Sequence, residues 1–388
     1  MSDGMLKKYY QFELGQVCSR LSSGKGIAAK EISEHGVYPV FGGNGLRGYS
    51  DRKNFEGQCA IIGRQGAFCG NVRFFSGEAY MTEHAVVVCA NEKSDIKYLS
   101  YLLGTLNLGR LSGQSAQPGL SVKTLSKQVI QLPDISKQRQ IAKVLSAFDE
   151  KIELNTQINH NLEEQAKAIF KSWFLDFSAL DNPDFYSYEG VTCPVGWRVS
   201  YLADIADYLN GLAMQKYRPD EGDFGYPVLK IKELRQRMCD KDSERCSFHI
   251  KPEYNVHDGD VIFSWSGSLL VDFWCGGECG LNQHLFKVSS TKYDKWFYYS
   301  WTQYHLNEFI AIAADKATTM GHIKREHLQS ATVLVPPADI YNEIGKLLGP
   351  IYEAITRNRI ESKMLAQLRD SLLPKLMSGE IDVSEVEV

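Results

Sequence analysis

Basic and amide side chains accompany the glycine-rich turns of this 388-residue sequence. The turn Gly42–Gly45 contains an asparagine and is followed by Arg47, and Arg64 lies within the sequence Gly-Arg-Gln-Gly. Lysine and arginine bind phosphate groups, and arginine, asparagine and glutamine also form paired hydrogen bonds with the edges of bases. The residue types therefore favour contact with nucleic acid at these turns.

The candidate side chains fall into two groups, one in each half of the chain. The first group is Asn44, Arg47, Arg64, Gln65, Asn71, Arg73, Gln117 and Lys123. The second group is Lys216, Lys230, Lys232, Arg235, Arg237, Ser266, Asn282, Gln283, Thr319 and Lys324. Any single member could instead be a solvated surface charge or an amide that caps a turn. Arg64 is the strongest candidate, because it follows an apolar strand directly and is flanked by glycines.

Charge is distributed unevenly along the chain. Its 43 basic and 47 acidic residues give a net charge of -4. Residues 1–130 nevertheless carry 15 basic and 10 acidic side chains, whereas residues 187–335 carry 16 and 19. The net charge is not that of a highly basic nucleic-acid protein. Its uneven distribution nevertheless allows contact with nucleic acid through local basic patches.

Sequence signatures of catalysis and of metal binding are missing. There is no GxxxxGK[ST] phosphate loop and no HExxH zinc motif. The sequence Asn182–Phe185 lacks the second proline of the Asn-Pro-Pro-Phe/Tyr loop of adenine methyltransferases. The nine cysteines form no CxxC pair, so we expect reduced thiols and no metal site. We therefore expect no catalytic residues in this chain.

Comparing the chain with itself at an offset of 203 residues reveals an internal repeat. Pro133 pairs with Pro336, and Asn155 pairs with Asn358. The period is the size of a domain and far longer than the units of stacked repeat proteins. The chain therefore contains two copies of one plan, each a β-rich domain followed by a long helix.

The two β-rich segments share one order of elements. Residues 1–132 consist of short β-prone runs between glycine-rich turns, with a helix predicted at 96–106. Residues 194–335 repeat this order, so that GQCAIIGRQGAFCG at 57–70 corresponds to DGDVIFSWSGSLLV at 258–271. The two segments differ by insertions in their loops.

Both predicted long helices carry an apolar heptad seam. In the first helix the seam is Ile141, Leu145, Phe148, Ile152, Asn155, Asn159, Leu162, Ala166, Ile169 and Trp173. In the second helix it is Ile344, Leu348, Ile351, Ile355, Asn358, Ser362, Leu365, Arg369, Leu372 and Leu376. Because each seam extends over more than four heptads, we expect the helices to pack as an antiparallel coiled coil.

The middle of each seam is polar. Aligning the midpoints of the two helices places Asn159 against Asn358 and Asn155 against Ser362. A buried polar pair there would fix the register at some cost in stability. Alternatively, Asn155 and Asn358 could lie exposed where the seam drifts. Pro374 predicts a kink or an end late in the second helix.

This order of segments resembles the specificity (S) subunit of type I restriction-modification enzymes. The residues that carry the resemblance are Pro133, Gln138, Ile141, Ile152, Asn155, Lys171–Phe174, Pro194, Gly196 and Trp197. The sequences YPVFGGNGLRGY in the first half and LLPKLMSGEI near the C-terminus also match. The first half lacks the Pro-x-Gly-Trp opening, and Asn342-Glu343 replaces the usual glutamine at the start of the second helix.

The resemblance implies an α+β fold with two target recognition domains in tandem, an antiparallel coiled coil and an internal pseudo-twofold repeat. The expected segments are a first recognition domain at 1–132, a central spacer helix at 133–180, a linker with the second recognition domain at 181–335, and a C-terminal spacer helix at 336–388. The two helices correspond to conserved regions 1 and 2 of the family.

The resemblance also implies a function. Each recognition domain would read one half of a bipartite site in double-stranded DNA, with half-sites about one helical turn apart. The chain would recruit methyltransferase (M) subunits, two of them, and restriction (R) subunits. S-adenosylmethionine is expected on the M partner, and ATP with Mg on the R partner. We expect a cytoplasmic protein. The competing interpretation is a coiled-coil scaffold that does not read DNA.

Overall fold

The computed structural model describes residues 9–112, 119–315 and 321–383. These residues form two compact units. Unit 1 takes its described residues from Met1–Lys151 and Leu365–Val388, and unit 2 comprises Ile152–Met364. Each long helix contributes one part to each unit.

Unit 1 is built on a six-stranded sheet in the order β2-β7-β5-β6-β3-β4. Its strands are β1 (Tyr10–Glu13), β2 (Cys18–Ser23), β3 (Tyr38–Gly42), β4 (Gly45–Ser50), β5 (Phe55–Gly63), β6 (Val72–Met81), β7 (Ala85–Ala90) and β8 (Val129–Leu132). Its helices are α1 (Ile96–Thr105), α2 (Val122–Ser126) and the first part of α3 (Ile135–Phe174). Strand β8 pairs with β1, and β3 runs parallel to β6.

Unit 2 contains two four-stranded sheets, in the orders β12-β19-β16-β17 and β14-β13-β18-β15. Its strands are β9 (Phe185–Tyr188), β10 (Val191–Pro194), β11 (Arg198–Tyr201), β12 (Asp207–Asn210), β13 (Tyr226–Leu229), β14 (Arg245–Cys246), β15 (Asn255–Val256), β16 (Val261–Ser264), β17 (Leu270–Phe273), β18 (Cys279–Leu281), β19 (Leu285–Ser289) and β20 (Thr332–Val335). Its helices are α4 (Leu202–Ile205), α5 (Ile231–Gln236), α6 (Lys295–Tyr304), α7 (Leu306–Asp315), α8 (Arg325–Ser330) and part of α9 (Ala338–Met377).

Helix α1 forms where the sequence predicted a helix. Asp95 precedes its first turn, and the Asp95 side chain accepts a 2.9 Å hydrogen bond from the backbone amide of Tyr98. Such a cap satisfies one of the donors that the first turn of a helix leaves free. Tyr98, Leu99 and Leu103 are fully buried, so this face of α1 packs into the core of unit 1.

The repeat found in the sequence extends to the backbone hydrogen bonds. The amide of Leu14 donates to the carbonyl of Gln128 at 2.9 Å, and the amide of Leu202 donates to the carbonyl of Ala331 at 3.0 Å. The pairing of β1 with β8 in unit 1 likewise has its counterpart in the pairing of β11 with β20 in unit 2. The α+β class and the two β-rich domains are therefore confirmed.

Helices α3 and α9 pack against each other as an antiparallel pair. Within unit 2, Asn358 donates from Nδ2 to Oδ1 of Asn159 at 2.9 Å. Nδ2 of Asn155 lies 3.2 Å from Oγ of Ser362. Both contacts are those predicted from the seam. Asn155 is 1% exposed and Asn358 is half-buried, so the alternative that these two asparagines lie exposed is wrong.

The predicted seam residues occupy the inner faces of both helices. All of them are buried or half-buried, including Leu145 and Ile141 in unit 1 and Ile344 and Leu348 in unit 2. Arg369, the one charged seam residue, forms an ion pair with Asp149 within unit 1. Helix α9 continues through Pro374 and ends at Met377, so the end predicted near this proline is confirmed.

Candidate nucleic-acid interface

In unit 1, the turn that carries Asn44 lies where the ends of β3 and β5 approach each other. Gly42 and Gly45 pair across a two-residue hairpin turn, which projects Asn44 to the surface. Gly63 ends β5 beside this turn, where a Cβ atom would clash with the carbonyl oxygens of Gly43 and Phe68. Only glycine therefore allows the hairpin turn and the segment 66–68 to approach this strand so closely.

Two arginines lie against the backbone of the hairpin turn. A Cβ atom on Gly45 would lie 2.8 Å from Nη1 of Arg73, and a Cβ atom on Gly42 would lie 2.7 Å from Cδ of Arg47. Both arginines are exposed. The absence of side chains in the turn thus brings two cationic groups close to Asn44, in an arrangement suited to phosphate and base contact.

Arg64 is held inside its loop. It is half-buried, and its Nε donates to the carbonyl of Leu120 at 3.3 Å. Its Nη1 lies 3.4 Å from Oγ of Ser23 and 3.5 Å from the carbonyl oxygen of Glu83. The strongest sequence candidate for base contact therefore makes several bonds within the protein.

The remaining candidates of unit 1 are on the surface. Gln65, Asn71 and Lys123 are exposed. Gln117 lies outside the described residues. Sequence reasoning overlooked the apolar members of this surface, since Leu46 and Phe68 are 52% and 44% exposed next to the arginines.

Unit 2 has a corresponding group of loops, with different side chains. Ser266 and Asn282 are 4% and 6% exposed, and both turn inward toward a histidine. Oγ of Ser266 lies 3.0 Å from Nδ1 of His284, and Oδ1 of Asn282 accepts from the amide of His284 at 3.2 Å. Gln283 is half-buried beside the same imidazole ring. The Ser266 and Asn282 side chains thus organise the loops.

The basic candidates around α5 are engaged in ion pairs. Lys230 pairs with Glu244 at 2.8 Å, and Lys232 pairs with Asp240 at 3.0 Å. Hydrogen bonding to these lysines lowers the pKa of both carboxyl groups. Lys324 pairs with a neighbouring glutamate at 3.4 Å. These pairs are at the surface, where an ion pair is weak enough to exchange partners.

Arg237 has a more buried partner than the lysines. It adopts a left-handed conformation at the end of α5, and its Nε donates to Asp272 at 2.7 Å. Lys216 and Arg235 are exposed. Thr319 lies outside the described residues.

Sequence reasoning also missed Trp265, which corresponds to Arg64 in the repeat. Its Nε1 donates to Oδ1 of Asn210 at 2.9 Å, and its ring packs near His284, His322 and Phe286. The paired sequences GQCAIIGRQG and DGDVIFSWSG already placed the two residues at the same position.

The cysteines are free thiols with different environments. Burial raises the pKa of Cys18 and of Cys59 to about 12. A hydrogen bond with Cys279 lowers the pKa of Cys239 below its usual value. The thiolate form is therefore favoured at Cys239 and disfavoured at Cys18 and Cys59.

One group of possible metal ligands occurs among the described residues. Asp220, Asp223 and His249 bring ligand atoms within 4.8 Å of one another, and all three residues are exposed. Exposed acidic groups commonly lie this close without an ion. In the described part of the chain, no helix has the length and apolar character of a membrane span.

Comparison with known proteins identifies what these two units are. The sequence matches the type I restriction modification DNA specificity domain twice, at residues 7–164 and 194–363. The chain belongs to this family. Both matched segments include a loop cluster described above and most of one long helix. The chain is therefore a specificity subunit, the DNA target-recognition subunit of a type I restriction-modification system.

Named specificity subunits are similar to this one over different lengths. The type I restriction enzyme MjaIX specificity subunit of Methanocaldococcus jannaschii is 28% identical over 310 residues, which are 75% of this chain and 70% of that protein. The EcoprrI specificity subunit of Escherichia coli is 41% identical over 140 residues, 35% of each chain. The crystal structure of the S subunit from M. genitalium has a TM-score of 0.64 at 16% identity, covering 97% of this chain and 98% of that one. This structural match supports the fold of the specificity subunit.

Proposed function

We propose that this specificity subunit reads a bipartite DNA target, each loop cluster contacting one half-site. The duplicated loop cluster carries this proposal. The backbone bonds of the two clusters correspond, whereas their exposed side chains differ, with Asn44, Arg47 and Arg73 in unit 1 and Lys216 and Arg235 in unit 2. Because different side chains present different hydrogen-bonding groups, the two half-sites should differ in sequence.

In unit 1 the surface for DNA is the hairpin turn with its arginines. Arg47 and Arg73 supply positive charge, and Asn44 and Asn71 are exposed amides. Charged side chains bind phosphates without reading sequence, while amides can pair with adenine. In unit 2 the exposed Lys216 and the residues around α5 take the same role.

The chain would bring to the DNA target partner subunits that carry out the chemical reactions. We propose that it recruits methyltransferase subunits, two of them, and restriction subunits. S-adenosylmethionine would then be bound by the former, and ATP with Mg by the latter. The chain itself would contribute DNA recognition alone.

The outer faces of the long helices support docking of the methyltransferase. Leu154, Ile158 and Met364 of unit 2 are 49%, 37% and 61% exposed and lie outside the seam. Apolar side chains on the free face of a helix pair suit packing by a further helix. We expect Leu154→Asp with Ile158→Asp to prevent copurification with the methyltransferase subunit. Gln165→Asp, which adds a charge at an exposed polar position of α3, should not.

Methylation mapping tests the proposed function. The chain would be expressed with the methyltransferase subunit encoded near it, and methylated adenines would be mapped across the host genome. We expect a bipartite motif with a fixed unspecified gap. Replacing residues 1–132 with those of another specificity subunit should change one half of the motif. Methylation without sequence dependence would favour the scaffold interpretation.

A further inference from the structure

The side chain of Arg64 joins three segments of unit 1 that are distant in sequence. Its donors face Ser23 at the end of β2, the carbonyl of Glu83 after β6 and the carbonyl of Leu120 before α2. An arginine has five N–H donors in a planar fork, so one guanidinium can hold several carbonyl groups at once. Arg64 itself lies beside the hairpin turn that carries the proposed DNA contacts, since a Cβ atom on Gly43 would lie 3.4 Å from its amide nitrogen.

Trp265 occupies the corresponding position in the backbone of unit 2. The amide of Arg64 donates to the carbonyl of His84 at 3.0 Å, and the amide of Trp265 donates to the carbonyl of His284 at 3.4 Å. The carbonyl of Arg64 accepts a hydrogen bond from the amide of Leu120 at 2.9 Å. The carbonyl of Trp265 accepts one from the amide of Ile323 at 3.0 Å.

The side-chain partner also corresponds. Ser23 precedes Gly24, whose amide donates to the carbonyl of Ala85 at 3.0 Å. Asn210 precedes Gly211, whose amide donates to the carbonyl of Leu285 at the same distance. The bond from Trp265 to Asn210 is thus the counterpart of the bond from Arg64 to Ser23.

We infer that Arg64 and Trp265 are positioning residues, each of which holds together the DNA-reading loops of its own unit and does not itself contact DNA. An indole has one N–H donor and no charge, so it cannot replace an arginine at a phosphate or at guanine. An indole can replace an arginine where the side chain only has to hydrogen-bond to a neighbouring loop. What the two positions share is therefore this hydrogen bond between loops. This inference rests on the proposed function.

The salt dependence of DNA binding separates a positioning role from a phosphate contact, and the loss of discrimination at each base pair separates it from a base contact. The logarithm of the binding constant falls linearly with the logarithm of salt concentration, and each phosphate contact that is lost reduces the magnitude of this slope by about one. The complex of this chain with its methyltransferase subunit would be titrated with a duplex carrying the mapped motif. Arg47→Gln and Arg73→Gln should each lower the slope. Arg64→Met should leave the slope unchanged and reduce discrimination by about fivefold to tenfold at several base pairs of one half-site, because the loops that it holds would shift together. Loss of discrimination at a single base pair would show a direct base contact and overturn the inference.

The salt slopes of the three variants distinguish failure of the inference from failure of the proposed DNA interface. A slope lowered by about one in Arg64→Met would show a DNA contact and overturn the inference. Unchanged slopes in Arg47→Gln and Arg73→Gln would instead reject the proposed interface of unit 1, and the assignment of Arg64 would be rejected with it. Thermal unfolding by circular dichroism would establish that each variant is folded.

A second variant tests the same role in unit 2, should Arg64→Met fail to fold. Trp265→Phe keeps an aromatic ring and removes the N–H that binds Asn210. We expect the specificity for the half-site read by unit 2 to fall severalfold, with the other half-site unaffected. Asn210→Ala should give the same pattern, because it removes the other partner of the bond. Undiminished specificity in both variants would overturn the inference.

Discussion

Asn159 and Asn358, which lie on different long helices of unit 2, are joined by a side-chain hydrogen bond of 2.9 Å. The same Asn159 also donates to the carbonyl of Ile355 at 3.3 Å. A buried amide that is bonded at both its nitrogen and its oxygen favours one register of the helix pair, since a shift would leave these groups without partners. The polar middle of the seam thus specifies how the helices align.

Removing one of these amides should destabilise the protein more than replacing both. Asn358→Ala leaves the buried Asn159 without its partner, at a cost of about 1–3 kcal/mol. The double variant Asn159→Leu with Asn358→Leu removes both polar groups and should lose less stability than either single alanine variant. Urea denaturation measures these free energies of unfolding. His160→Ala, at an exposed neighbouring position, should change the free energy by less than about 0.5 kcal/mol.

Arg359 should contribute more to stability than Arg369, although both pair with aspartate. Arg359 is 10% exposed and binds Asp272 at 2.6 Å and Glu163 at 2.8 Å. Burial alone would lower the pKa of Arg359, but Asp272 raises it, so the group stays charged. Arg359→Met removes one of the two arginine partners of the buried Asp272, which keeps Arg237, and should cost about 2–3 kcal/mol.

The matched control is Arg369→Met, at a side chain that is 26% exposed. Here the ion pair is closer to solvent, and we expect a cost of about 1 kcal/mol. Equal losses in the two variants would contradict the importance of burial.

Gly45→Ala should weaken DNA binding through displacement of Arg73. Gly45 has a φ of +100°, and an added Cβ would lie 2.8 Å from the guanidinium. Gly57→Ala is the matched control, because Gly57 has a φ of +114° but a Cβ there would meet nothing within 4 Å. In both variants the alanine must adopt a positive φ, so both carry the same kind of backbone strain. Only Gly45→Ala should lower the affinity for a duplex that carries the motif, as measured by fluorescence anisotropy.

Cys239 should react with iodoacetamide before Cys18 and Cys59. The thiolate is the reactive form, and the lowered pKa of Cys239 increases its thiolate fraction at pH 8. Its rate should rise with pH and level off below pH 9, while Cys18 and Cys59, with pKa values of about 12, stay protonated. Peptide mass spectrometry measures the rates. In urea the differences should disappear, and their persistence would show that folding does not cause them.

The sequence by itself determined the repeat, the long helices and their register. Heptad periodicity is a local property of a helix, so stepping along the chain from Ile141 and Ile344 was enough to find both seams. Aligning the midpoints of the two helices then placed Asn159 opposite Asn358. The predicted class of interface followed from residue type and from the resemblance to a family.

Only the tertiary structure decided which candidate side chains are available to DNA. Arg64 owes its bonds to Leu120 and Ser23, which are 56 and 41 residues away in sequence. Likewise, Asp272 meets Arg237 across 35 residues. Such contacts arise where loops converge in the folded chain, and neither residue type nor spacing predicts which polar groups will satisfy one another there.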